Sequence, residues 1–397
     1  MRLKRSLSGH TLFALALALL SGCRSSSFPL HPASYREYAY VTDGASNTVA
    51  VLDLVYLRPD RVLQVGQNPT GIAANPVRNE VYAVNSGSGT ISVIDAENNR
   101  IAATIGVHRQ PYFIDVAPDG HRAYVANSGS NSVSVIDLDT RREIAVAGAG
   151  EQPGIARISP DMRSLVVTNR ASGSVSIFSV TSDPRTPLHL RAVFPGCPGA
   201  TDAVIIPDPS KAFVACSGSH QVMAISLAVA PGSSAATQNP FLLSDHLLAL
   251  LDVGQTPVHL ALKPDTGEIY ISNFGSDSVS EINTQTNEAG GAFTIGSKPS
   301  HAVISRDNDS LWVSDFGADS VSLYSIDNGK LISGIRTGAQ PDALAFSADE
   351  HLLLVADAKS GDIAVIRTQG RLGPELFTML PAGRTPNAIA VKAFTTR

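Results

Sequence analysis

Apolar and polar residues alternate along most of this chain in short runs that end on Asn, Asp or Cys. The runs are Tyr40-Val41-Thr42-Asp43, Tyr82-Ala83-Val84-Asn85, Tyr124-Val125-Ala126-Asn127, Leu165-Val166-Val167-Thr168-Asn169, Phe213-Val214-Ala215-Cys216, Tyr270-Ile271-Ser272-Asn273, Trp312-Val313-Ser314-Asp315 and Leu354-Val355-Ala356-Asp357. Their end residues stand 42, 42, 42, 47, 57, 42 and 42 apart. Six residues after each end, a second alternating run begins, at Val49, Ile91, Val133, Val175, Val222, Val279, Val321 and Ile363. A period of two marks strands with one face buried. Most copies are preceded by a Gly-x-x-Pro turn and a third strand. Pro69, Pro111, Pro153, Pro257, Pro299 and Pro341 each lie sixteen residues before the Asn or Asp. A fourth strand follows the second, as in residues 100–105.

Four residues past each end residue stand Asn47, Gly89, Asn131, Gly173, His220, Asp277, Asp319 and Gly361. These types tolerate a left-handed backbone, so each hairpin has a suitable residue at one fixed place. The repeated Asn or Asp is expected to fold its side chain back onto the turn backbone. It is read as turn chemistry and not as a ladder of metal ligands.

Four short strands in about 42 residues is the pattern of a propeller blade. The predicted fold is all-β: a single eight-bladed β-propeller over residues 38–397, with strands A to D from the axis outwards. The chain enters on a B strand near Tyr38 and leaves on a lone A strand, residues 383–391. Pairing of that last strand with the first blade closes the ring and removes open edges. The repeats, Tyr124-Val125-Ala126-Asn127 and Ser132-Val133-Ser134-Val135-Ile136-Asp137 above all, resemble the YVTN β-propeller family. The resemblance covers residues 38–396. It implies the fold and says little of activity; seven blades are commoner there, which makes seven the alternative count. One blade is irregular, with an insertion at 231–245 read as a loop, and residues 241–251 have room for a short helix before strand D. The insertion is either functional or a surface excursion.

Residues 1–22 read as a processing segment. Arg2, Lys4 and Arg5 precede an apolar run at 11–20 that is too short to span a bilayer. Leu20-Ser21-Gly22-Cys23 resembles the bacterial lipobox, which implies cleavage before Cys23 and a lipidated, palmitate-bearing N-terminus. An ordinary secretory signal is the alternative. Residues 23–37 then form the lipidated Cys and a flexible tether. Arg24 stands where an inner-membrane retention signal would place Asp, which favours the outer membrane, facing the periplasm or the surface.

Charged residues make up only 16% of the 397 residues, against about 25% in a typical domain. Beyond residue 22 there are 27 basic and 35 acidic side chains, a net −8, which argues against a nucleic-acid partner. Three cysteines exclude a disulfide scaffold. With Cys23 lipidated, Cys197 and Cys216 are expected to pair in an oxidising envelope; two buried thiols are the alternative.

Candidate chemistry lies at the mouth of the axial channel, where the A strands begin. The second residue after each A-strand Pro includes Asp202, His259 and His301 on three consecutive blades, counting Ala200 as the Pro equivalent. Tyr112 and Asp342 stand one residue earlier, and Asp115 and Arg157 two residues deeper. Two imidazoles and a carboxylate suit a divalent metal, or acid, base and orienting roles toward a small substrate. A solvated polar rim is the alternative, and no cofactor is required. Phe274 and Phe316 follow Asn273 and Asp315 and are either an anchor for a partner or packing between blades. Quinoprotein dehydrogenases have eight blades with Trp docking motifs, and this chain has only Trp312. No Cys-x-x-Cys-His, Gly-x-Ser-x-Gly elbow, His-Glu-x-x-His, phosphate loop or EF-hand is present. The leading expectation is a lipid-anchored, monomeric propeller that presents a binding face to a protein or an envelope polymer. The alternative is a hydrolase, similar to lactonase-type propellers, with its site at the channel mouth.

Overall fold

The computed structural model describes residues 29–183, 185–206, 211–370 and 373–396. Residues 1–28, with the processing segment and Cys23, lie outside the described residues. Eight four-stranded antiparallel sheets form the blades. Each A strand touches the A strands of both neighbouring blades, and these contacts run from the first blade round to the eighth and back. The eight-bladed count is borne out.

Closure follows the predicted route. Blade 1 takes strands B, C and D from Tyr35–Asp43, Thr48–Asp53 and Arg58–Gln64, and strand A from Pro386–Thr395. The first strand starts at Tyr35, three residues earlier than the alternation implied. Tyr35, Arg36 and Glu37 find partners in Thr395, Phe394 and Ala393, which extends the ladder into the expected tether. Blades 2 to 8 begin on the A strands Pro69–Ala74, Pro111–Val116, Pro153–Ile158, Ala200–Ile206, Pro257–Leu262, Pro299–Ile304 and Pro341–Phe346. The D–A loops and B–C turns share one end of the ring, the upper face. The A–B and C–D turns share the lower face.

Blade surfaces pack into one another. Tyr82, Val84, Ile91 and Val93 of blade 2 meet Ile114, Ala123, Val125 and Ile136 of blade 3 in one buried cluster. Trp312 stands where sister blades have Tyr82 or Tyr124 and is as deeply buried, so it is a core residue. All eight predicted turn residues have positive φ, from 52° at Asp277 to 81° at Gly361.

The Asn ring does something other than the expected turn closure. The amides of Asn85, Asn127, Asn169 and Asn273 each donate to two hydroxyls five and seven residues on, for example Ser278 and Ser280 from Asn273 at 3.2 and 2.9 Å. The side chain thus ties strand B to strand C. In three blades a side-chain oxygen at this position accepts from the Gly of Gly-x-x-Pro: Gly150 N–H donates to Asn169 at 3.0 Å, Gly338 to Asp357 at 3.0 Å and Gly383 to Asp43 at 3.0 Å, whereas Oδ1 of Asn85, Asn127, Asn273 and Asp315 is buried without a partner among the described residues. The motif needs Gly because the two groups touch; a Cβ on Gly296 would fall inside the Asp315 carboxylate.

Blade 5 replaces this pair. Cys197 occupies the Gly position, Cys216 the Asn position, and the two form a disulfide. The insertion in the same blade is not all loop. It holds a short helix, Ser234–Gln238, and a 3-10 turn, Pro240–Leu243. Its end is pinned by Asp245, whose two oxygens accept from Arg191 at 2.8 and 2.7 Å. Among the described residues no helix is long and apolar enough to cross a membrane.

Candidate functional site at the axial channel

Most A strands open on a register shift. Pro257 lies opposite Asn273 but His259 lies opposite Ser272, and Pro299/His301, Pro111/Phe113 and Pro69/Gly71 behave alike. Such a bulge re-aims the side chains beside it. It separates the second residue after Pro from the first.

The second-position residues of blades 5, 6 and 7 meet in one arc, which Arg157 of blade 4 extends. Arg157 Nη2 lies 3.7 Å from Asp202 Oδ1, and Nη1 lies 3.9 Å from Asp115 Oδ1. Asp202 Oδ2 lies 3.8 Å from His259 Nε2. The rings of His259 and His301 stack with centroids 3.7 Å apart and planes 30° apart. Asp202, His259, His301, Arg157 and Asp115 are therefore brought together as the sequence suggested.

Each anchor is fixed by the next blade. Asp202 accepts N–H bonds from Ala203 and from Leu260 across the blade boundary, at 2.8 and 3.0 Å. Asp115 accepts from Ile158 at 3.0 Å. Ala302 N–H donates to His259 Nδ1 at 3.3 Å. A neutral His259 then carries its proton on Nε2, toward Asp202. Burial, with the charge of Arg157 adding, pushes the His259 imidazolium down to about 3. Burial also holds His301 well below the usual histidine range, with His259 and Arg157 adding to the effect and Asp202 opposing it. Among the described residues neither ring nitrogen of His301 makes a hydrogen bond. Burial raises Asp115 as well, against the pull of Arg157.

Two predicted residues stand apart from the arc. Tyr112 is 41% exposed on the upper rim beneath the Arg170 guanidinium, 5.3 Å from the ring centroid. Asp342 is half-buried, and burial raises its carboxyl against a bond from the Ser300 hydroxyl. Sequence reasoning missed Phe113, which packs under Arg157 with its centroid 4.9 Å from the guanidinium carbon. It shares the second position with His259 and His301, so alignment of the blades held the signal. Phe274 and Phe316 are half-buried and touch across neighbouring turns, centroids 5.9 Å apart. His259 Nδ1 is already taken by Ala302 N–H, and among the described residues no three His, Cys, Asp or Glu side chains form a group able to hold a metal.

A family model described as a lactonase, 7-bladed β-propeller, matches residues 282–378. The chain is a β-propeller. The matched stretch runs from the end of strand C of blade 6 into strand D of blade 8. Dihydro-heme d1 dehydrogenase NirN, in complex with DHE, superposes with a TM-score of 0.72 at 13% identity, over 95% of this chain and 78% of that one. A putative 6-phosphogluconolactonase from Bacteroides fragilis gives 0.60 at 16%, over 92% of this chain and all of that one. Another from Bacteroides uniformis gives 0.59 at 15%, over 90% and 100%. At such identities the likeness is one of fold. No curated protein matches the chain.

Proposed function

We propose that this propeller is a hydrolase of lactone type, that its site is the Arg157–Asp202–His259–His301 arc, and that a lipid on Cys23 holds it in the cell envelope. The observation that carries the reading is His301: a neutral imidazole with no hydrogen bond to its ring among the described residues, in an arc whose other end is Arg157, with its nearest carboxylates at 3.7 and 3.9 Å. Of the arc, the lactonase match over 282–378 contains His301 alone, and it supports the reaction class. The Cys197–Cys216 disulfide supports an oxidising compartment.

His301 takes a proton from water as the water oxygen bonds to the acyl carbon. The negative charge gathered on the carbonyl oxygen is met by Arg157. The ring C–O bond then breaks, and the leaving alkoxide recovers the proton from the imidazolium, which gives a hydroxy acid. Asp202 holds His259, and His259 holds the plane of His301. A base kept neutral by burial stays competent in acid, so activity is expected to persist at pH 5, where an ordinary histidine near 6.5 is mostly protonated.

The test is pH-stat titration of the purified protein with γ- and δ-lactones. His301→Ala is expected to lower kcat/KM on the order of 100-fold, and Arg157→Ala to lower kcat more than it raises KM. Turnover no faster than buffer, or an unimpaired His301→Ala variant, overturns the assignment. Intact mass of the native protein checks the lipid, and Cys23→Ser is expected to release the chain from membranes.

A further inference from the structure

The repeat supplies a reference for every turn, and two neighbouring lower-face turns depart from it in one direction. In the A–B turn, blades 3, 4, 6, 7 and 8 place Asp119, Asp161, Asp265, Asp307 and Asp349 at one position. Each carboxylate accepts the backbone N–H two residues on. Blade 2 has Val77 there, 65% exposed. Its turn is closed instead by Asn75, which accepts from Val77 and Arg78 at 2.9 Å each, so the turn itself makes no demand for valine. In the C–D turn, sister blades carry pairs such as Glu97-Asn98 and Asp327-Asn328. Blade 1 carries Val55-Tyr56, with Tyr56 68% exposed and Arg58 over its ring at 5.2 Å. Apolar residues on a solvated turn mark a contact surface.

Both turns lie at the end of the ring where the chain enters. Glu37 accepts from Ala348 in the A–B turn of blade 8, and its carbonyl accepts from Leu54 N–H. Pro29 and His31 border a cavity of about 30 Å³ together with Leu54, Val55 and Leu352. Leu30, between them, is 97% exposed. Six residue steps separate Cys23 from Pro29, a reach of about 20 Å at full extension.

We infer that the lower face of blades 1 and 2, through Leu30, Tyr56 and Val77, rests on the lipid bilayer that holds the anchor, so that the upper mouth of the channel opens away from the membrane. This rests on the lipidation of Cys23. A tyrosine backed by an arginine is the pairing that sits at a headgroup boundary. The short reach of the tether commits the occupant to the bilayer itself. The channel then receives its substrate from the aqueous side.

Trp312, buried, is the chain's only tryptophan, so emission from an introduced one is read by difference. Lipidated Tyr56→Trp, Val77→Trp and Tyr112→Trp proteins are reconstituted into phosphatidylethanolamine–phosphatidylglycerol vesicles, with and without brominated acyl chains. Loss of the added emission in brominated vesicles is expected for Tyr56→Trp and Val77→Trp and not for Tyr112→Trp on the upper rim. Co-flotation without quenching at either lower site, or equal quenching of Tyr112→Trp, overturns the orientation while the anchor stands. Failure to co-float overturns the anchor and the orientation together. Self-association through the same residues would appear as tryptophan emission that shifts with protein concentration in the absence of lipid, with no bromine quenching, and would also overturn it.

Discussion

Asp315→Asn should stabilise the fold by about 3 kcal/mol at pH 8 and leave it unchanged near pH 3. Asp315 is fully buried, and burial pushes its carboxyl up to about 6, against hydrogen bonds from Ser322 and Ser320. Its Oδ1 has no partner among the described residues. The unfolded chain releases this proton near 3.9. Below that pH both states are protonated, and the contribution of the neutral carboxyl is complete. As pH rises toward 6 the unfolded chain has already lost the proton and the folded one still holds it, so stability falls. Above 6 the folded protein carries a buried carboxylate, about two pH units of penalty. Asn has no such titration, and Asn273 shows how it fits: its amide donates to Ser278 and Ser280. Asp43 is raised to about 6, and Asp357, beside Asp362, to about 7, both chiefly by burial. The same exchange at either site should act in the same direction. Guanidinium unfolding at pH 3 and pH 8 checks this; a variant no more stable than the parent at pH 8 contradicts it.

Loss of the blade 5 disulfide should cost about 3 kcal/mol, the chain-entropy value for the 18 residues between Cys197 and Cys216. Cys197→Ser is expected to show the full loss, because a hydroxyl and a thiol are then left in a site that excludes water. The double exchange Cys197→Gly with Cys216→Asn rebuilds the pair used by the sister blades. Gln221 and Met223 stand where those blades have their Ser or Thr acceptors, so the rescue should be partial. The ordering parent, double variant, single variant in denaturant midpoint is the expected result. Equal midpoints for parent and Cys197→Ser would show that the cross-link does not limit stability.

The fold was legible because each blade is an experiment repeated eight times. Strand order, ring closure and the left-handed turn residues came from spacing alone, and so did the neighbourhood of His259 and His301, one repeat apart at one position. What escaped was the partner of each repeated group. The Asn amides reach two hydroxyls across the hairpin, and alternation says only that those serines share a face. The start at Tyr35 escaped because Tyr-Arg-Glu has no apolar period and is fixed by a strand more than 350 residues away. The Tyr112–Arg170 and Phe113–Arg157 contacts cross a blade boundary after a bulge, and a bulge leaves no mark in the two-residue period.

The first strand, Tyr35–Asp43, is hydrogen-bonded on both sides, to Thr48–Asp53 and to Pro386–Thr395. Interstrand bonds run perpendicular to the strands. A pull on the segment before Tyr35, directed out of the lower face, therefore acts along the strand and strains two ladders in shear, all bonds at once. A pull across the sheet would open them one pair at a time, as a zipper does. Under the proposed lipid anchor on Cys23, drag on the N-terminus would be met at this strand in its strongest direction, and the seam of the ring would also be its mechanical clamp.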